Sequence, residues 1–221
     1  MIAVLIFMTA AVAISYWWLW NQKIMEEPWL TEGAEVDLRE QTGIVPKSAK
    51  SGLIVFLAVV SSIFSLFISA YFMRMSLNDW LPIEEPQLLW GNTAVLIFGS
   101  IAIHWTARAA NKGSNTGVRN GLLATGLLTS LFLIGQLLAW QELVEQGQYL
   151  QSNPAAAFFY LITGLHAAHL LGGMWVWLKT TLRVLAGQNA QQTILSVELC
   201  RNYWHYLLAV WLVLFVLFLS T

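Results

Sequence analysis

Long apolar runs alternate with short polar breaks along the whole of this 221-residue chain. Crossing the roughly 30 Å hydrocarbon layer of a bilayer takes about 20 helical residues. Six runs qualify: about 2–20, 52–73, 89–107, 120–141, 156–179 and 203–220. They are too continuously apolar for barrel strands, which alternate lipid-facing and lumen-facing positions. A helix also satisfies its own backbone where lipid offers no partner. The pattern therefore predicts an all-α, polytopic membrane helical bundle of six transmembrane helices, one membrane domain over 1–221. The first run reads as a retained helix rather than a cleaved signal. No basic residue precedes it, and Trp17, Trp18 and Trp20 stand where small residues would favour cleavage.

The polar breaks give an orientation. The first loop carries Lys23, Arg39, Lys47 and Lys50, the third Arg108, Lys112 and Arg119, the fifth Lys179 and Arg183 with Arg201 at its far edge. Arg74 in the second loop is the remaining one of the 11 basic residues. Basic residues collect on the cytoplasmic side, so the odd-numbered loops are expected in the cytoplasm and both termini outside. Trp29, Trp80, Trp90, Trp105, Trp140 and Trp204 fall near the predicted membrane edges, as an aromatic belt would. The longest loop, about 21–51, is too short for a folded extramembrane domain.

Composition adds exclusions. Residues are 57% hydrophobic and 10% charged, against about 25% charged in a soluble domain. With 11 basic and 12 acidic residues, nothing in the charge balance suggests a nucleic-acid partner. The single cysteine, Cys200, excludes an intrachain disulfide. No convincing internal repeat is present, which lowers the case for an inverted-repeat transporter. There is no Walker loop, dinucleotide fingerprint or nucleophile constellation, so no self-sufficient active site is expected.

Polar groups inside a membrane are expensive and each needs a reason. His166 and His169 stand three apart on one helix face. That spacing suits a metal or haem iron, but a metal site needs further ligands at matching depth. No Cys or acidic residue accompanies them, so the expectation is no metal. The histidines, with His205, are read as neutral packing groups that hydrogen-bond to neighbouring helices, and His104 is the fourth embedded histidine. Glu142 is expected to find a packed partner and Glu145 to be solvated. Glu198 and Arg201 suggest an i,i+3 ion pair. Together His166, His169, His205, Glu142 and Glu198 form the expected structural polar core. Gly164, Ala167, Ala168, Gly172 and Gly173 mark close helix contacts on the fifth span.

These residues carry a resemblance. The stretch Leu161-Ile-Thr-Gly-Leu-His166-Ala-Ala-His169-Leu-Leu-Gly172 resembles the Thr-Gly-x-His-x-x-His signature of subunit III of haem–copper terminal oxidases. Glu198-Leu-Cys-Arg-Asn-Tyr203-Trp204-His205, followed by Val210-Trp211, is similar to that family's Glu-x4-Tyr-Trp-His block. Pro86-Gln-Leu-Leu-Trp90-Gly-Asn92-Thr93 and Tyr16-Trp17-Trp18 add two further matches in the same order. Spans two to six correspond to the family's shared five-helix core, and the charge-derived orientation agrees with it. Two positions depart: Val60 aligns where many members carry an embedded glutamate, and Leu208 where many carry an aspartate after Tyr-Trp-His.

The resemblance implies a non-catalytic chain in a multi-pass position in the cell inner (plasma) membrane. It implies partners, oxidase subunits I and II, with haem and copper held by those partners and no cofactor in this chain. It also implies support of proton uptake during reduction of oxygen to water, and bound phospholipid. Trp17, Trp18, Trp20, Lys23 and Arg201 are the candidate headgroup contacts, since basic helix ends attract anionic headgroups. The alternatives are the homologous accessory subunit of nitric oxide reductase, a small membrane transporter, or a standalone membrane haem protein using His166, His169 or His205.

Overall fold

A computed structural model describes residues 47–83 and 86–220. The chain divides into two units, 1–45 and 46–221, and the described residues belong to the second. The first predicted span, with Trp17, Trp18, Trp20 and Lys23, lies outside the described residues. The other five spans are all helices: α1 (Lys47–Met75), α2 (Leu88–Asn111), α3 (Asn115–Glu145), α4 (Pro154–Leu185) and α5 (Ala190–Leu219). Each is long and apolar enough to cross a membrane.

Local chemistry explains the helix ends. Ser114 caps α3 by accepting from the Gly117 amide at 3.2 Å, and Asn153 caps α4 by accepting from Ala156 at 3.1 Å. Pro154 follows at the first helical position, where its missing N–H costs nothing. The first amide of α5, on Ala190, donates to the Asn115 side chain at 2.7 Å, tying the starts of α3 and α5 together. Gly113 and Gly187 adopt φ of 71° and 92° just past α2 and α4, the left-handed conformation that closes a helix.

The helices run 24 to 32 residues, beyond the apolar runs that announce them. α5 shows this most: it begins at Ala190, not near residue 203. Thr193, Val197, Cys200 and Trp204 are buried at helical spacing through that extension, so packing carries the helix past its apolar run. Trp204 accordingly sits inside the bundle, 2% exposed, and not in an aromatic belt. Trp90 and Trp105 are exposed, at 62% and 64%.

α2, α3, α4 and α5 close into a ring in which each packs on its two neighbours, while α1 lies outside it against α4 and α5. Core threonines such as Thr106, Thr125, Thr129 and Thr181 donate to the carbonyl one turn back, which satisfies them in an apolar interior. Indole N–H groups bind helices together: Trp204 to Thr129 at 3.1 Å, Trp211 to Thr93 at 3.0 Å and Trp177 to the Leu122 carbonyl at 3.0 Å.

Candidate functional site

The Thr-Gly-x-His-x-x-His segment occupies the middle of α4 and packs directly on the Tyr-Trp-His block of α5. His166 is fully buried. Its ring lies 5.2 Å from Trp211, 6.0 Å from Phe132 and 6.4 Å from Phe64, centroid to centroid. Neither ring nitrogen has a hydrogen-bond partner among the described residues. The expected hydrogen bond to a neighbouring helix is thus absent at His166, because aromatic rings from α1, α3 and α5 surround it.

His169 differs. Its Nδ1 donates to the Leu165 carbonyl of its own helix at 2.8 Å, its ring meets Phe64 at 5.5 Å, and its carbonyl accepts from the Tyr203 hydroxyl at 2.9 Å. His205 does bond across helices, sharing a 2.5 Å hydrogen bond between its Nδ1 and Ser100 Oγ on α2. His104 lies beside it, ring centroids 5.6 Å apart. The histidines therefore form two separate pairs. No group of three His, Cys, Asp or Glu side chains converges among the described residues.

The acidic residues divide in the same way. Glu142 is half-buried near the end of α3, and the exposed Glu145 accepts from Gln141 at 3.0 Å. Glu198 pairs with Lys50 of α1 at 3.3 Å, and not with Arg201 as spacing suggested. Arg201 donates to Asn202 at 3.0 Å. Contact between α1 and α5 decides this, and helix spacing alone cannot report it. In the loop after α1, Asp79 is held below the ordinary carboxylate range by its hydrogen bond with the Arg74 guanidinium.

Two polar residues were missed or undervalued in the sequence. Gln136 on α3 is 1% exposed with neither amide atom partnered, and Asn92 on α2 is 4% exposed with Nδ2 unpartnered. Asn92 lies over Gly135, where a methyl group would collide with its carboxamide. A glutamine within the apolar run 120–141 was the available signal for Gln136.

A cleft of about 570 Å³ opens between α1, α4 and α5. Leu53 and Phe56 form one wall, with His169, Gly172, Cys200 and Tyr203 opposite. Gly172 and Ala168, expected at a helix contact, line this cleft instead, while Gly173 does meet Tyr203 and Trp204. The Lys50–Glu198 pair flanks it through the lining residues Gly52 and Leu199. Arg201 lies outside the lining. Val60 is 1% exposed, within the apolar core, and Leu208 is partly buried against that core.

Long apolar helices, a polar core of indole-to-threonine bonds and an apolar cleft define a polytopic membrane helix bundle. Residues 1–220 match the family Cytochrome c oxidase subunit III, and the chain belongs to that family. It is 33% identical over 124 residues to cytochrome c oxidase subunit 3 of Corynebacterium diphtheriae, covering 56% of this chain and 60% of that relative. It is 32% identical over 172 residues to cytochrome c oxidase subunit 3 of Synechocystis sp., covering 75% and 72%. To the probable cytochrome c oxidase subunit 3 of Nocardia farcinica it is 28% identical over 192 residues, covering 84% and 94%. The family is that of an accessory subunit of a respiratory oxidase, which implies association with other oxidase subunits.

Proposed function

We propose that this chain is the non-catalytic subunit III of a haem–copper respiratory oxidase in the cell inner membrane. It stabilises the catalytic subunit and supports proton uptake while that subunit reduces oxygen to water. The carrying observation is the family match over residues 1–220 in a chain whose two signature blocks pack on each other, Tyr203 onto the His169 carbonyl and Trp211 onto the His166 ring. His166, His169, His205, Glu142 and Glu198 serve the structure, and haem and copper belong to the partner subunits I and II.

The cleft receives phospholipid. Its volume suits acyl chain and its lining is apolar, while Lys50 beside it offers charge to a headgroup. Trp17, Trp18, Trp20, Lys23 and Arg201 meet headgroups at the cytoplasmic boundary. The described basic residues support that orientation. Lys50, Arg108, Lys112, Arg119, Lys179, Arg183 and Arg201 sit toward the end of the bundle where α3 and α5 begin, and Arg74 sits at the other. The test is purification of the native complex with its haem spectrum and subunit masses. Co-purification with a haem–copper oxygen reductase is expected. Co-purification with a nitric oxide reductase, or with no haem protein, would overturn the reading.

A further inference from the structure

α1 is held unevenly along its length. Val60, Phe64 and Tyr71 are buried, at 1%, 3% and 4% exposed. The Phe64 ring lies against His169 and His166, and the Tyr71 ring against Phe158 and Phe218. From Ala49 to Val59 no side chain of the helix is buried, and Leu53 and Leu57 are only partly covered. This N-terminal half is one wall of the cleft, through Gly52, Leu53 and Phe56. It reaches across to α5 through the Phe56–Tyr203 ring contact, 6.1 Å between centroids, and through the Lys50–Glu198 ion pair at 3.3 Å.

A serine pair marks the boundary between the two halves. Ser61 and Ser62 donate to the Leu57 and Ala58 carbonyls one turn back, at 2.8 and 3.0 Å. Such back-bonding competes with the helix's own ladder and often bends helices. The half before it can therefore swing about that point while Phe64 and Tyr71 stay packed. The ion pair at its far end is partly solvated, with side chains 48% and 23% exposed. A pair of that kind contributes little, so it holds the wall without locking it. Behind the wall, Cys200 lines the cleft and is 2% exposed.

We propose that residues 49–59 of α1 are a flap over the cleft, hinged at Ser61 and Ser62 and latched by Lys50–Glu198, and that the flap swings out to admit a phospholipid acyl chain. When the pair parts, the wall moves away from α5, the cleft widens and Cys200 is uncovered. The inference rests on the phospholipid reading of the cleft and adds how the ligand enters.

Cys200 is the single cysteine of the chain, so it reports the opening. The test is its rate of labelling by N-ethylmaleimide in the intact native complex, read by mass spectrometry on the peptide that contains it. Lys50→Gln and Glu198→Gln should each raise the rate about two- to five-fold, the range expected for loss of a weak ion pair. The charge-swapped double variant, Lys50→Glu with Glu198→Lys, should return it toward the parent value. Removing one charge or the other acts on the thiol in opposite directions, so a rise in both reports opening rather than a changed field. In the parent complex, raising the ionic strength should speed labelling, because salt screens solvated pairs. A rise in Glu198→Gln alone, a swap that labels as fast as the single variants, or a parent rate independent of salt would overturn the latch. Phospholipid bound per complex, counted by mass spectrometry, separates the two readings. A complex that binds no phospholipid but labels as expected removes the lipid reading and keeps the latch. A complex that keeps its phospholipid while labelling ignores the pair removes only the latch.

Discussion

The Tyr203 hydroxyl of α5 donates to the His169 carbonyl of α4 at 2.9 Å, joining the two signature blocks through one side chain. The same ring closes over Gly173, where an added methyl carbon would sit 2.5 Å from Tyr203 Cε1. Tyr203→Phe should therefore cost about 1 kcal/mol, the net value of one hydrogen bond. Gly173→Ala should cost about 1–3 kcal/mol through overpacking. Gly172 faces open space in the cleft, so Gly172→Ala should leave the thermal midpoint of the detergent-solubilised complex unchanged or raised. Equal losses from both glycine substitutions would show that this interface is not the determinant.

His166 gives the second prediction. Both ring nitrogens are buried without partners among Phe64, Phe132 and Trp211. Replacing an unsatisfied polar group by an apolar one of similar shape is close to neutral or stabilising. His166→Phe should thus assemble at least as well as the parent. His169→Gln should leave the metal content of the assembled complex unchanged. Metal analysis showing one equivalent lost from either intact variant would make that histidine a ligand.

The five spans among the described residues were legible in the sequence because each apolar run is long and unbroken. Their true ends were not. α5 reaches back to Ala190 because Thr193, Val197 and Cys200 pack inward, and that periodic pattern hides among polar neighbours. Charge spacing on one helix suggested Glu198 with Arg201, whereas the partner is Lys50, on a helix distant in sequence. The signature histidines could be named, but their different surroundings could not: His166 among aromatic rings, His169 on its own helix, and His205 on Ser100. Pairings of that kind depend on how helices cross, which no local pattern encodes.

Topology provides the third prediction. The turn between α2 and α3 is expected in the cytoplasm, and the turn after α3 outside. Asn115 is a poor reporter because its side chain caps α5. Lys112 and Gln146 are both exposed. In intact cells Lys112→Cys should resist an impermeant thiol reagent and Gln146→Cys should react. The reverse pattern would invert the orientation.

The last prediction concerns Val60, which stands where many family members carry an embedded glutamate. It is 1% exposed, one turn from Phe56 in the cleft wall and one turn from Phe64 beside the histidines. An apolar side chain there can neither react with a carbodiimide nor relay a proton. The stretch 52–73 contains no Asp or Glu, and Glu198, next to the cleft-lining Leu199, is already paired with Lys50. Proton pumping in the complex should therefore require no embedded carboxylate from α1. Peptide mass spectrometry after carbodiimide treatment of the intact complex should find 52–73 unmodified and turnover unchanged. Val60→Glu should not raise the pumping ratio. It should lower the thermal midpoint, because a carboxyl group buried without a partner costs several kcal/mol. Strong modification of Glu142 or Glu198 with parallel loss of pumping would place the carboxylate role on α3 or α5, and a purely supporting role for this chain would no longer hold.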